Sequence, residues 1–379
     1  MLMEIGKTNE IYALRLLQCL TVTKRPFYVE ELAEILALDF GAEEGLPELK
    51  ENWRSKDQQD AVLSVCSSLI AVVPEYDDSD RHVVQFSHFS VKEFLTSDRL
   101  ATSSLDISHL RVLPEPAHTL VAKACLGVLL LSEDAKVDIE ERYPLFRYAA
   151  EYWVDHARFK KVWTCVEDGI RRLFDPAKPH FKLWFPHSRL QSSQFFMSRT
   201  KLHKHCGSSL YYASLCGFFD LAKQLISENP QHATDQVGLN PTPLAAALSC
   251  GHLDIAELLY EASAGLELRT QDNTTLLHAV SAVGLLGAAN WLFNHGVLSA
   301  NSPQDNHEPP LHLAGMNGHI SVNAVDNNNQ APLHLASQHG HFDMVRELLL
   351  RGADVSVRDR SYRTPLHSVS NASFEAYYP

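Results

Sequence analysis

Apolar residues in the first hundred positions recur at two spacings, one typical of helices and one typical of strands. The helical spacing marks residues 11–20, 29–38, 61–71 and 91–100. Between the third and fourth of these segments, residues 69–74 and 82–87 carry strand-forming residues on either side of an acidic turn. Three helices followed by a hairpin have the order of a winged helix, which we therefore predict for residues 1–105.

A short motif of small residues followed by leucine recurs through the second half of the chain. Its six leucines are Leu210, Leu244, Leu277, Leu311, Leu333 and Leu366. The intervals between them are 34, 33, 34, 22 and 33 residues. Because a period near 33 is that of ankyrin repeats, residues 204–379 are predicted to form five to six stacked helical units, the last of them incomplete.

The fifth unit, which begins at Ala331, shows most clearly how the repeat folds. Pro332 suits the first turn of a helix, where its missing N–H costs nothing, and Gly340 ends that helix. Four apolar residues then have the spacing of a second helix with one apolar stripe: Phe342, Val345, Leu348 and Leu349. Gly352, which takes a positive φ readily, ends the second helix before an extended finger.

Histidine and cysteine recur at fixed places in the repeat. The histidines of the motif are His278, His312, His334 and His367. At this place the imidazole is expected to hydrogen-bond the backbone between neighbouring repeats. Cys216 and Cys250 likewise precede the helix-ending glycine of successive units. Recurrence at the repeat period therefore indicates structural residues and not metal ligands.

The 22-residue interval marks an irregular fourth unit. Its first half, PPLHLAGMNGHI, follows the repeat, but the eleven residues that should form its second helix are missing after Ile320. Two interpretations stay open. Either the stack is interrupted between Ile320 and Ser321, or the coding sequence has been edited or wrongly assembled at that point, since losing one helix would expose an apolar groove.

Composition and charge limit the classes of partner. The 379 residues are 45% hydrophobic and 21% charged, as in soluble globular domains. The net charge of −13 is uneven: −8 in residues 1–100, +6 in residues 140–205 and −9 in residues 206–379. Acidic ends disfavour nucleic-acid binding, and the basic middle fits either an acidic partner or the acidic ends of the same chain.

Cysteine usage and hydropathy indicate the compartment. Seven widely spaced cysteines without a CxxC pair predict reduced thiols and a cytoplasmic protein, with the nucleus left open. The N-terminus lacks the pattern of a signal peptide. The longest apolar run, residues 120–131, is too short to span a bilayer and is expected to be a buried helix.

Four stretches of the first half resemble one family. LRLLQCLTVTKRPFYVEELAEILAL, LSVCSSLIAVV, SHFSVKEFL and LFRYAAEYWVDHA resemble, in order, the winged-helix and helical segments of fungal NACHT-type (STAND) signalling NTPases, in which an ankyrin array often follows. That family carries its nucleotide-binding domain upstream. Here Gly6, Lys7 and Thr8 look like the end of a phosphate loop, but no strand or first glycine precedes them. The resemblance thus implies a fragment or truncated relative that binds no nucleotide.

Three further candidate sites have plainer interpretations. The third helix of a winged helix can enter DNA, but here it carries one lysine and two aspartates and is otherwise apolar, so we expect it to be packed. Residues 203–206, HKHC, could hold zinc, yet no second pair of ligands is suitably spaced and a polar turn is expected. His88 between Ser87 and Ser90 suggests a hydrolase only superficially, because a serine there caps a helix. No catalytic, cofactor or metal site is predicted.

These patterns predict a mainly α-helical chain with a winged helix, a helical linker domain in residues 106–203, and an ankyrin solenoid. The predicted function is protein–protein recognition, as a scaffold, adaptor or sensor in signal transduction and not as an enzyme. The expected partner is a protein of unknown identity, with no nucleic acid, membrane, cofactor or small-molecule substrate. Two alternatives stay open: a fragment of a NACHT-type NTPase, and a less favoured winged-helix DNA-binding regulator. Polar residues that protrude at repeat spacing are the predicted contacts: Gln271, Asp272, Asn273, Asp326, Asn327, Asn328, Arg358, Asp359, Arg360, Ser361 and Tyr362.

Overall fold

The chain divides into two compact units, Met1–Arg189 and Leu190–Pro379. The structure, a computed structural model, describes residues 10–41, 45–75, 81–101, 107–131, 139–178, 180–188, 208–234, 242–262, 275–295 and 322–369. Helices dominate both units, as the sequence predicts, and the strands described lie in the first.

The first unit opens with a winged helix. Its elements are α1 (Glu10–Val22), β1 (Phe27–Tyr28), α2 (Val29–Leu36), β2 (Leu38–Asp39), β3 (Glu48–Leu49), α3 (Gln58–Cys66), β4 (Ile70–Pro74), β5 (His82–Phe86), α4 (Phe89–Thr96) and α5 (Asp98–Ala101). Strands β4 and β5 form an antiparallel hairpin in which Val72 lies opposite Val84, and β1 pairs with the other edge of β5. The predicted order of three helices and a hairpin is confirmed.

A helical segment follows and packs on the winged helix. Its helices are α6 (Pro114–Leu131), α7 (Ile139–Arg142), α8 (Phe146–Ala157), α9 (Val162–Cys165), α10 (Glu167–Leu173) and α11 (His180–Trp184). The predicted buried helix is α6, which packs against α1 and α8 and buries Val121 and Leu129 completely. The ring of Tyr148 on α8 lies 4.1 Å from the ring of Phe27 on β1, so both segments share one core.

No helix in the ranges described is long and apolar enough to cross a membrane. The longest, α6, has 18 residues, and its burial against other helices accounts for its apolar composition.

The second unit consists of helix pairs at the ankyrin period. They are α12 (Ser209–Cys216) with α13 (Phe219–Glu228), α14 (Pro243–Ser249) with α15 (Leu253–Glu261), α16 (Leu276–Val283) with α17 (Leu286–His295), and α18 (Pro332–Gln338) with α19 (Phe342–Leu350). The side chains of Ser208, Thr242 and Thr275 cap the first helices of the first three pairs by accepting backbone N–H groups. Left-handed glycines such as Gly217 follow these helices, because a residue with a Cβ is disfavoured there.

The fifth repeat unit packs directly on the third. Helix α18 lies against α16, and α19 lies against α17. The Nε2 atom of His278 hydrogen-bonds the carbonyl of Gln330 at 2.9 Å, and Nε2 of His341 hydrogen-bonds the carbonyl of Ala282 at 3.0 Å. Residues 296–321, with most of the irregular fourth unit, lie outside the described ranges. The third and fifth units are therefore neighbouring layers of the solenoid.

The last described layer exposes apolar side chains of the predicted stripe. Leu348 is fully buried, but Phe342 is 82% exposed and Leu349 is 43% exposed. The leucines of the repeat motif show the same contrast, because Leu333 is 2% exposed and Leu366 is 79% exposed. The predicted second helix is confirmed as α19, and Phe342 and Leu349 of its apolar stripe are exposed because no further described layer covers them.

Candidate protein-binding surface

A buried aspartate shapes the finger that precedes α18. The Oδ1 atom of Asp326 accepts the backbone N–H of Asn328 and of Gln330, both at 2.8 Å. The chain turns at Asn329, whose φ is +58°, and asparagine tolerates this left-handed conformation better than most residues. Because Asp326 is only 3% exposed, its carboxylate holds the turn and leaves Asn327 and Asn328 exposed at the tip.

The next finger, which follows α19, is built in the same way. Oδ1 of Asp359 accepts the N–H of Ser361 at 2.8 Å and of Arg363 at 2.9 Å, and Oδ2 accepts Nε of Arg363 at 2.9 Å. Burial alone would raise the pKa of Asp359, but the hydrogen bonds from Arg363 and Ser361 outweigh it and hold the pKa below its usual value. The carboxylate is therefore charged and fully occupied inside the turn.

The two fingers are fixed side by side. The backbone N–H of Arg360 donates to the carbonyl of Asn328 at 2.9 Å. Arg358, Ser361 and Tyr362 are exposed around this contact, and Tyr362 is 76% exposed. The result is a polar and aromatic surface on a backbone that needs no rearrangement to form it.

The predicted contact residues fall into three groups. Those exposed on the two fingers are Asn327, Asn328, Arg358, Arg360, Ser361 and Tyr362. Asp326 and Asp359 are buried and hold the turns from equivalent places in successive repeats. That recurrence, which marked the motif histidines as structural, was the signal available for these two aspartates. Gln271, Asp272 and Asn273 lie outside the described residues.

Two motif histidines, His278 and His334, act between layers, as predicted, whereas Nδ1 of His367 bonds Thr364 within its own turn. His278 reaches Gln330 as described above, and Nε2 of His334 hydrogen-bonds the carbonyl of Arg363 at 3.1 Å. In both cases Nδ1 lies within hydrogen-bonding distance of the N–H of the residue three positions earlier, which fixes the ring. His312 is outside the described residues. The structural interpretation of His278 and His334 is confirmed.

The other candidate sites of the first unit have structural explanations. Helix α3 buries Val62 and Val65, while its exposed face carries Gln59, Asp60 and Ser64 and no basic residue. Among the residues described, no group of three or more His, Cys, Asp or Glu side chains is placed to hold a metal, and residues 203–206 lie outside them.

The cap of α4 corrects one prediction. The residue that caps this helix is His88, whose Nδ1 accepts the N–H of Ser90 at 3.2 Å, and not Ser87 or Ser90 itself. The reason is that α4 begins at Phe89, so that position 88 is the one from which a side chain reaches the free N–H groups.

A buried hydrogen-bonded chain, which the spacing did not indicate, joins the helical segment to the winged helix. Nδ1 of His118 on α6 lies 2.9 Å from Nδ1 of His156 on α8, and Nε2 of His156 lies 2.9 Å from the hydroxyl of Tyr148. That hydroxyl accepts the N–H of Lys24 at 3.3 Å. Burial, with smaller effects of nearby charge, lowers the pKa of His118 to about 4 and of His156 to about 3, so both are neutral near pH 7.

Two carboxylates of α2 are buried near this joint, and one of them, Glu34, bonds across it to the helical segment. Glu31 pairs with both terminal nitrogens of Arg25, at 2.6 and 2.8 Å. Glu34 accepts the N–H of Leu145, in the helical segment, at 2.7 Å and also pairs with Arg54. Burial raises the pKa of both carboxyl groups and these partners oppose the rise. The winged helix and helical segment are thus joined by buried, directional contacts.

Comparisons with known proteins match both halves of the chain. The family described as "GPI inositol-deacylase, winged helix domain" matches residues 1–107. The family "Ankyrin repeats (3 copies)" matches residues 210–302, and "Ankyrin repeats (many copies)" matches residues 317–367. The chain carries a winged-helix domain and ankyrin repeats. The predicted ankyrin repeats are confirmed, and because such repeats are protein-interaction modules they support the predicted protein–protein recognition.

A similar protein is known from a fungus. "Azaphilone pigments biosynthesis cluster protein L" of Monascus ruber is 28% identical over 265 residues. The matching stretch covers 66% of this chain and 55% of that protein. The similarity therefore extends over little more than half of the relative's length.

Proposed function

We propose that this chain is a protein-binding adaptor whose ankyrin fingers contact a partner protein, and that it is not an enzyme. The observation that carries the proposal is the pair of adjacent fingers whose turns are held by Asp326 and Asp359. Because these turns are fixed before contact, binding loses little conformational entropy. Exposed amide, guanidinium and phenol groups then supply the contacts.

The first unit is proposed to act as a rigid regulatory body in signalling. Its winged helix and helical segment share a core and the buried bonds from Glu34 and Tyr148, so a displacement of one segment moves the other. Cytoplasmic action is supported by free thiols in the described ranges, among them Cys19, Cys66, Cys125 and Cys165.

A site-specific crosslinking experiment tests the finger surface. A photo-crosslinking amino acid is placed in the full chain at Asn327 or Ser361, or at the exposed control position Asp220 on α13. In extract of the source organism, we expect both finger positions to label the same protein and position 220 not to label it. Equal labelling at all three positions, or no protein adduct at either finger, would contradict the proposal.

A second candidate function is the regulatory part of a NACHT-type signalling NTPase. It is favoured by the order of a winged helix in residues 1–107, a helical segment packed on it, and an ankyrin array. Sequencing the transcript upstream of Met1 tests it. An in-frame phosphate-loop domain is expected, and a stop codon in frame directly upstream would exclude this candidate.

A further inference from the structure

The arginines of residues 346–363 fall into two groups. Arg346, Arg351 and Arg363 each pair with a carboxylate three or four positions earlier in the chain, at 2.8, 2.9 and 2.9 Å. In the part of the chain that the structure describes, Arg358 and Arg360 have no carboxylate within ion-pairing distance, and both are exposed on the second finger. Nη1 of Arg358 donates to the carbonyl of Tyr362 at 3.4 Å, but neither guanidinium charge is balanced by a carboxylate among the described residues.

The second finger is basic, whereas the array that precedes it is acidic. Residues 206–321 hold two basic and ten acidic residues, whereas residues 358–363 of the second finger hold three basic residues and one acidic residue. A guanidinium binds a carboxylate through two parallel hydrogen bonds. A long polyanion such as DNA would also meet the acidic remainder of the array and be repelled by it. The charge pattern thus fits a short acidic segment better than a nucleic acid.

Tyr362 adds an aromatic group in a backbone conformation that tyrosine rarely adopts. Its φ is +60°, and Asn329 occupies the same place in the preceding finger with φ +58°. Asparagine tolerates this left-handed region, but a tyrosine there strains the backbone. With 76% of Tyr362 exposed, packing does not compensate for that strain. Strained residues concentrate at binding sites, and tyrosine and arginine dominate interface hot spots.

We propose that Arg358, Arg360 and Tyr362 form a recognition tip for a carboxylate-rich segment of a partner protein. This inference rests on the proposed protein-binding function of the fingers and names the chemistry of the partner. The bonds of Asp359 to Ser361 and Arg363 hold the tip in shape, so the guanidinium groups and the ring are in place before binding.

A defined peptide tests the chemistry directly. Fluorescence anisotropy is measured for a labelled twelve-residue peptide of alternating Glu and Ser, and for its Lys and Ser counterpart, on the full chain. We expect the Glu peptide to bind and the Lys peptide not to bind. The affinity for the Glu peptide should fall as NaCl rises, because exposed charges are screened.

Matched charge reversals separate the tip from net charge. Arg358→Glu with Arg360→Glu should weaken binding of the Glu peptide at least tenfold. The control, Arg346→Glu with Arg172→Glu, makes the same change in net charge at two exposed arginines elsewhere and should alter binding less than twofold. Equal losses in both double variants, or no preference for Glu over Lys, would overturn the inference. So would displacement of the Glu peptide by duplex DNA at lower concentration than by unlabelled peptide.

Tyr362→Asn distinguishes a role of Tyr362 in binding from a role in the stability of the fold. Relief of the positive φ should raise the melting temperature, while loss of the ring should weaken Glu-peptide binding about threefold. Loss of both stability and binding would assign Tyr362 to the fold and overturn its part in the tip. If Asn327 and Ser361 crosslink a partner but the Glu peptide does not bind, protein recognition stands and the acidic class of partner is excluded.

Discussion

Gly284 ends the first helix of the third repeat unit and lies against His341 of the fifth unit. Its φ is +77°, and a Cβ added to it would lie 2.5 Å from Nδ1 of His341. Gly340, at the same place in the fifth unit, has φ +70° and no atom within 4 Å of such a Cβ. Gly284 thus meets two requirements, a left-handed turn and close contact between layers, whereas Gly340 meets only the first.

We therefore expect Gly284→Ala to lower the free energy of unfolding of the array more than Gly340→Ala. The control, Gly340→Ala, should lower the free energy of unfolding by about 1–2 kcal/mol, because an L residue is strained at positive φ. Gly284→Ala also displaces His341 and breaks its hydrogen bond to the carbonyl of Ala282. This should lower the free energy of unfolding by about 1 kcal/mol more. Urea-dependent hydrogen exchange of α16 and α18 amides measures both. Equal losses would show that the contact between layers contributes nothing.

The finger residues show how far exposure can be predicted from the sequence. The polar character of the fingers identified Arg358, Arg360 and Tyr362 as exposed, because polar residues at finger positions face water unless something covers them. The same criterion grouped Asp326 and Asp359 with them, although both are buried. Composition alone does not distinguish an aspartate that meets solvent from one that accepts several backbone N–H groups within its own turn.

His118 on α6 and His156 on α8 are joined by one hydrogen bond between their imidazole rings. The 2.9 Å between Nδ1 of His118 and Nδ1 of His156 leaves room for one proton. The folded pKa values are lowered to about 4 and about 3, against about 6.5 in an unfolded chain. At pH values between the folded and the unfolded pKa, the unfolded state binds more protons than the folded state. The stability from the neutral pair is therefore complete above pH 6.5 and is lost as the pH falls toward 4.

We expect His156→Gln to reduce this dependence on pH. Glutamine keeps a donor and an acceptor but does not titrate, so the slope of unfolding free energy should fall by about 1.4 kcal/mol per pH unit between pH 4.5 and 6. Ser64→Gln, at an exposed residue of α3 that does not titrate, is the control and should leave the slope unchanged. Urea-dependent hydrogen exchange of α8 amides gives the slope. The same slope in His156→Gln and the parent would contradict the prediction.

Elements were predictable where their signals are local. Periodicity and turn residues predicted α1, α2, the β4–β5 hairpin, α18 and α19 nearly at their observed bounds. The contacts that join these elements are not local. Glu34 reaches Leu145 across 111 positions, His118 reaches His156 across 38, and His278 reaches Gln330 across 52. Spacing along a single chain carries no information about which distant groups meet.

In the molecule as a whole, the direct contact between the third and fifth units predicts that they still stack when the chain between them is shortened. Deleting residues 298–320 would place Leu277 and Leu333 33 positions apart, the spacing of a regular repeat. The deletion keeps the residues through which α18 contacts α16 and α19 contacts α17, so the array should keep its stability. We expect the melting temperature to stay constant in differential scanning calorimetry.

A deletion of equal length is the control for this prediction. Removing residues 273–295 takes out α16 and α17, and with them the layer on which the fifth unit packs, so cooperative unfolding of the array should be lost. A similar loss on deleting residues 298–320 would show that the irregular fourth unit belongs to the stack.

The shared core of the winged helix and the helical segment has a consequence for proteolysis. The contact of Phe27 with Tyr148, the bond from Leu145 to Glu34 and the bond from Arg54 to the carbonyl of Arg142 all join these segments across the stretch 102–106. None of them requires the chain to be continuous there. A cut within 102–106 would therefore convert one polypeptide into a tightly associated heterodimer and would not release a free winged helix.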